Sequence, residues 1–293
     1  GLSVTTVPEQ REPDGEFPTV ESPDPEEPEA LAMAIELAKK KNADLVMATD
    51  PDSDRLGIAV PDGGEYILIS GNRIGALFCD YIFSQLEAKG KTPKNPVLVK
   101  TIVTTELQRL IAESYGGEVE DVLTGFKYIA GKIREFETTG KSYVFGGEES
   151  YGYLVGTEVR DKDAVGAAAM VAEIALYNRA KGRTVMDHLR DLWKRHGYFE
   201  EILISKKFEG EEGVRKIKEI MRSFREDTPE KIGDDPVTVV KDYLEGKALH
   251  KPDGRVEEID LPRSNVLQFI TRDESIISLR PSGTEPKIKF YAS

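Results

Sequence analysis

The chain is poor in sulfur and has no long apolar run. Cys79 is the one cysteine among 293 residues, which rules out an internal disulfide and a thiolate zinc cluster. Its place in an apolar helical segment suits a buried structural thiol. No apolar stretch approaches the length needed to span a bilayer, and the first residues lack the pattern of a secretory signal. A cytoplasmic location without membrane association is the expectation. Positive charge is also in deficit: 40 Lys and Arg against 53 Asp and Glu give a formal net charge of −13. That balance excludes a general nucleic-acid binder and a docking surface for anionic membranes. It leaves room for an anionic ligand, because a few local cations and backbone N–H groups can hold a phosphate inside an acidic protein. An initiator Met is missing too, so a chain opening Gly1-Leu2-Ser3 is expected to be a piece of something longer.

What is present is organised around Asp50-Pro51-Asp52-Ser53-Asp54-Arg55. The loop follows the apolar run 45–48, a short buried strand, and so sits at a strand's C-terminal end, where open α/β sheets place ligands. Three aspartates at alternate positions repel one another unless a cation or solvent relieves them. A hard divalent ion that prefers oxygen, Mg²⁺ above all, fits best, and a solvated turn is the plainer alternative. An EF-hand is excluded, since Arg55 and Pro61 stand where its loop needs Gly and Glu.

Around this loop the periodicity predicts a strand-like segment over 3–7, a helix over 28–41, and a hairpin of strands 56–60 and 66–70. That first part has few strands for an α/β domain. From residue 71 helices and strands alternate: helices over 73–89, 105–115 and 126–138, strands over 96–101, 118–123 and 142–145, then an Ala-rich helix over 161–180 and a last helix over 185–195. Such alternation predicts a parallel, partly mixed sheet with helices on both faces. After His196-Gly197 the texture changes to a strand over 200–206, a helix over 213–225, a polar stretch, and strands over 237–243, 265–271, 275–280 and 287–292, which reads as a smaller α+β domain. The expected fold is α/β, with boundaries at 1–70, 71–197 and 198–293.

Three more segments carry chemistry. Gly146 to Gly152 follows a strand, and Glu148, Glu149 and Ser150 offer the acceptors that sugar hydroxyls need; a plain Gly-rich turn is the alternative. Arg280, Ser282, Gly283 and Thr284 combine a guanidinium, two hydroxyls and a turn exposing N–H groups, which suits phosphate. Arg160-Asp161-Lys162-Asp163 opens the Ala-rich helix with Asp161 as a natural N-cap, and Lys162 opposes the helix dipole there. Thr124-Gly125-Phe126-Lys127 is a further strand-to-helix turn, able to hold an anion or to act as a mere cap.

In this order the loops resemble those of the α-D-phosphohexomutase superfamily, the phosphoglucomutases and phosphomannomutases. The resemblance implies that Asp50, Asp52 and Asp54 ligate Mg²⁺, that Arg55 contacts the reacting phosphoryl group or the substrate, and that Lys162 acts as acid or base. It implies that Thr124, Gly125 and Lys127 belong to the substrate site, that Glu148 and Ser150 bind sugar hydroxyls, and that Arg280, Ser282, Gly283 and Thr284 grip the phosphate that does not react. The Glu-Glu-Ser form is similar to the glucose-preferring branch, and the surrounding residues also resemble phosphopentomutases. The activity implied interconverts glucose 1-phosphate and glucose 6-phosphate through a phosphoserine, with glucose 1,6-bisphosphate as intermediate and activator. The family's catalytic serine lies in a Thr-Ala-Ser-His-Asn-Pro-like loop, and these 293 residues contain no such segment. The chain therefore corresponds to the end of the family's second domain followed by its third and fourth. It is expected to be inactive without the phosphoserine domain. Two rivals are a Mg²⁺-dependent aspartyl phosphatase using Asp50 and Asp52, and a non-catalytic sugar-phosphate-binding module.

Overall fold

A computed structural model describes residues 2–283 and 286–293. The chain forms two compact units, residues 1–198 and 199–293.

In the first unit, α1 (Pro28–Lys41) begins with proline in its first turn and ends at Asn42 in the left-handed region, with φ 50°. Its buried Leu31 and Ala38 pack on Val46 and Ala59 of a three-stranded sheet. That sheet, in the order β1 (Val46–Thr49), β2 (Leu56–Asp62), β3 (Glu65–Ile69), is antiparallel throughout. The aspartate loop is thus the connection of an antiparallel pair, Thr49 facing Leu56, and not the strand-to-helix turn of an open parallel sheet. Residues 3–7 form no strand; an extended apolar segment becomes one only when a neighbour takes its backbone groups.

The second layer follows the alternation expected. Helix α2 (Gly71–Ala88) leads to β4 (Pro96–Thr101), α3 (Leu107–Ser114), β5 (Glu118–Val122), α4 (Phe126–Thr139) and β6 (Ser142–Gly147). Strands β5, β4 and β6 are parallel. A short strand absent from the sequence reading, β7 (Tyr153–Val155), adds antiparallel to β6 and makes the sheet mixed. Both faces are covered. Val97 and Val99 meet Phe126, Ile129 and Ile133 of α4. On the opposite side Phe78 of α2 stands edge-on to Phe145 and Tyr153, with ring centroids 5.8 and 5.0 Å away. Helices α5 (Ala164–Ala180) and α6 (Val185–His196) complete the unit. Helix α5 starts three residues later than the sequence suggests: its N-cap is Asp163, whose carboxylate accepts from Gly166 N at 2.9 Å, and not Asp161.

The second unit is an antiparallel sheet with one helix, α7 (Gly210–Glu226), on its core face. Its strands are β8 (Ile202–Lys207), β9 (Lys231–Ile232), β10 (Asp235–Asp242), β11 (Lys247–His250), β12 (Arg255–Glu258), β13 (Leu267–Thr271), β14 (Ile276–Pro281) and β15 (Lys287–Ala292). They lie in the order β12-β11-β10-β13-β14-β15-β8, with β9 paired to β10. Ile217 and Met221 of α7 pack on Val240, Phe269, Leu279 and Ile288.

Candidate functional site

The acidic loop closes on its own backbone. Oδ1 of Asp50 accepts from the N–H groups of Asp54 and Arg55, both at 2.9 Å, and Ser53 takes φ 57° to make the turn. Those bonds leave Oδ2 of Asp50 for another partner. Carboxylate oxygens of Asp50, Asp52 and Asp54 lie within 4.8 Å of one another. At that distance each pair of charges repels by about 1 kcal/mol in water and about 3 kcal/mol where solvent is partly excluded. Burial pushes the Asp50 carboxyl above its ordinary range, partly offset by its two backbone donors, and the neighbouring Asp54 charge pushes the same way as burial.

Two cations offset the cluster. Lys162 Nζ lies 2.8 Å from Asp54 Oδ2, and Arg55 Nε lies 3.9 Å from both Asp50 Oδ2 and Asp54 Oδ1. Burial opposes the charge on Lys162, yet Asp54 and then Asp161 outweigh it and hold its pKa above the ordinary lysine value. An all-oxygen donor set this compact, with spare lone pairs and positive charge already drawn to it, fits a hard divalent cation such as Mg²⁺. Arg55 has a partner that the sequence did not signal: its Nη1 is 3.4 Å from Asp24, within the Pro-rich acidic stretch.

The sugar-type loop lies directly beside the aspartates. Leu56 N donates to Tyr151 O at 3.0 Å, and Arg55 and Gly152 form an antiparallel bridge. Residues 148–152 join β6 to β7, with Tyr151 at φ 67°. Strain in side-chain-bearing residues thus recurs in these loops: Ser53, Tyr151 and Arg160 all occupy the left-handed region. Lys162 runs across Gly152, where a Cβ would come within 2.3 Å of its Cδ, and its ammonium lies 5.7 Å from the centroid of Phe126. Residues 161–163 are anchored from both sides, since Asp163 N donates to Tyr153 O and Ala164 N to Ser53 O. Lys162 therefore precedes α5 and is set by tertiary bonds, so the dipole argument for it does not apply.

Glu148 is buried, and its Oε1 accepts from Gly125 N at 2.7 Å. The N–H of Gly125 at the start of α4 thus donates to a side chain of the neighbouring loop. Lys127 stands outside it, its ammonium 5.0 Å from the Tyr128 ring centroid. Ser150 is half-buried, and no hydrogen bond engages its hydroxyl among the described residues.

The phosphate-type loop belongs to the second unit. Arg280 lies in β14 opposite Lys289, with Nη1 3.3 Å from Tyr291 Oη, and Ser282 N donates to Lys287 O at 2.7 Å. Gly283 is exposed, and Thr284 lies outside the described residues.

Residues 1–64 match the family described as phosphoglucomutase/phosphomannomutase, alpha/beta/alpha domain II, and residues 70–196 match its alpha/beta/alpha domain III. The chain belongs to the α-D-phosphohexomutase superfamily. A phosphoglucomutase of Staphylococcus aureus (strain USA300) is 40% identical over 309 residues, covering 100% of this chain and 55% of that protein. One from Staphylococcus epidermidis is 40% identical over 98% of this chain and 52% of its own length. The chain thus spans about half the length of these phosphohexomutases. A phosphoglucomutase/phosphomannomutase family protein of Burkholderia thailandensis shares the fold, with a TM-score of 0.61 over 95% of this chain and 48% of that one, at 22% identity. So does the phosphoglucomutase parafusin of Paramecium, with a TM-score of 0.60 over 89% of this chain and 44% of that one, at 18% identity.

Proposed function

We propose that these residues form the metal-, sugar- and phosphate-binding part of a phosphoglucomutase that interconverts glucose 1-phosphate and glucose 6-phosphate in the cytoplasm. Asp50, Asp52 and Asp54 would hold Mg²⁺, which when bound supplies positive charge to a transferring phosphoryl group. Arg55, poised beside them, binds phosphoryl oxygens through its guanidinium. Lys162, held protonated by Asp54, gives a proton to or recovers one from the sugar oxygen and returns to its carboxylate partner. Glu148 and Ser150 orient sugar hydroxyls, with Thr124, Gly125 and Lys127 forming the wall beside them. Arg280, Ser282, Gly283 and Thr284 hold the other phosphate. The three functional stretches correspond to domains 1–70, 71–197 and 198–293. Glucose 1,6-bisphosphate serves as intermediate and activator in the whole enzyme. Because no serine here stands in the family's phosphate-carrying motif, the 293 residues alone bind substrate without isomerising it.

The observation that carries this reading is the backbone contact between the loops at Arg55 and Gly152, which brings the aspartate loop and the sugar-type loop side by side. The aspartyl phosphatase alternative is the weaker reading because it gives no role to Arg55 or to the two loops at 146–152 and 280–284.

Phosphorus NMR of this chain with Mg²⁺, glucose 1-phosphate and a trace of glucose 1,6-bisphosphate tests the proposal. Broadening of the glucose 1-phosphate resonance without conversion is expected. Appearance of glucose 6-phosphate or free phosphate would place a nucleophile within these residues, and an unperturbed resonance would remove the binding site.

A further inference from the structure

The loop after β6 carries two adjacent glutamates with different partners. Glu148 accepts from Gly125 N–H. Glu149 instead contacts the turn that follows β4: its Oε2 lies 3.1 Å from Thr101 Oγ1 and 3.4 Å from Thr104 Oγ1, and those two hydroxyls are 2.9 Å apart. Both threonines are buried, so their protons have little access to water, and a carboxylate is the strongest acceptor such a pair can be offered.

The turn that receives Glu149 is itself fixed from below. Lys100 is fully buried, and its Nζ donates to Thr104 O at 3.1 Å while pairing with Glu106 at 2.7 Å and Asp121 at 3.0 Å. Backbone packing adds a second constraint, because Gly71 at the start of α2 approaches so closely that a Cβ there would lie 2.0 Å from Glu149 O. Asn72, the next residue, accepts from Thr105 N at 3.0 Å and ties α2 to the same turn.

We propose that Glu149 is the positioning residue of the sugar loop. Its carboxylate, clamped by Thr101 and Thr104, sets the loop so that Glu148 and Ser150 are presented to the sugar, while Glu149 itself makes no contact with the ligand. This assignment rests on the sugar-phosphate reading of the site. It divides the pair Glu148-Glu149 into one residue that recognises and one that anchors.

The test compares wild type with Glu149→Ala, Glu149→Gln and Thr101→Val by hydrogen-exchange mass spectrometry of the ligand-free protein. Glucose 1-phosphate binding is measured in parallel by calorimetry in Mg²⁺. In Glu149→Ala, exchange over 147–153 is expected to rise about tenfold while the core of α2 over 76–83 stays protected, and affinity falls about tenfold. Thr101→Val reproduces part of both effects. Glu149→Gln, whose amide oxygen still accepts from the hydroxyls, is expected to stay within about threefold of wild type in both. Unchanged exchange over 147–153 in Glu149→Ala would overturn the anchoring role. Loss of affinity in Glu149→Gln equal to that in Glu149→Ala, with exchange unchanged, would make Glu149 a ligand group instead. If wild type fails to bind glucose 1-phosphate, the sugar-phosphate reading falls, and the exchange data still decide whether Glu149 holds the loop.

Discussion

Lys162 Nζ and Asp54 Oδ2 are 2.8 Å apart, so the aspartate cluster carries its own counter-cation, delivered from the segment that precedes α5. A metal bound to the three aspartates and the ammonium of Lys162 would then act on one carboxylate.

Lys162→Met should therefore tighten Mg²⁺ binding by about tenfold, because a unit charge near a divalent ion is removed. Calorimetric titration of wild type and variant reads this directly. Weaker binding in the variant would mean that Lys162 organises the site more than it competes for it.

Asp52→Asn is expected to act with opposite signs in two conditions. Without metal the variant should be as stable as wild type or about 1 kcal/mol more so, since a repulsive contact is relieved. With millimolar Mg²⁺ the rise in melting temperature expected for wild type should disappear, the linkage effect of a lost ligand. Thermal unfolding with and without the ion checks both signs, and an undiminished rise would show that Asp52 is not a ligand.

Two glycines should respond in opposite ways to alanine. Gly71→Ala forces a Cβ against Glu149 O and is expected to cost about 2–4 kcal/mol. Gly131→Ala, in the middle of α4 with open space around it, should stabilise by about 0.5–1 kcal/mol. Urea titrations measure both, and equal effects would contradict the packing described for the 148–152 loop.

Acid should weaken the first unit through Asp80. Burial works to raise this carboxyl, but His188 at 2.7 Å and Arg195 at 2.8 Å bring it down to about 2. Because the folded value lies below the ordinary 3.8, the stabilisation is complete above that pH and is lost as pH falls towards 2. The gap corresponds to about 2 kcal/mol. Wild type should lose about that much more stability than Asp80→Asn between about pH 5 and pH 2. Parallel losses in the two proteins would show that Asp80 is not the group responsible.

The aspartate loop was legible because alternate carboxylates after an apolar run have few purposes, and the alternation of elements between residues 71 and 196 survived almost unchanged. The start of α5 was not legible. Asp161 and Asp163 are equally good caps by chemistry, and the choice falls to Asp163 through bonds to Tyr153 and Ser53 that no local pattern encodes. Strand β7 was hidden because its three residues follow a glycine-rich loop and read as its tail. Strands β11 and β12 escaped for another reason: most of their residues are exposed, so they lack the apolar alternation that marks a half-buried strand. Asp24 gave no signal in a stretch full of acidic residues, and its pairing with Arg55 is a property of the folded chain alone.

The backbone bridge between Arg55 and Gly152 joins segments that match two different family domains. In chimeras that graft residues 1–64 from one relative onto the remainder of another, peptide-level register at this seam must be kept, whatever side chains are exchanged. The aspartate loop and the 148–152 loop are therefore not independently exchangeable parts here; they fold as a matched pair.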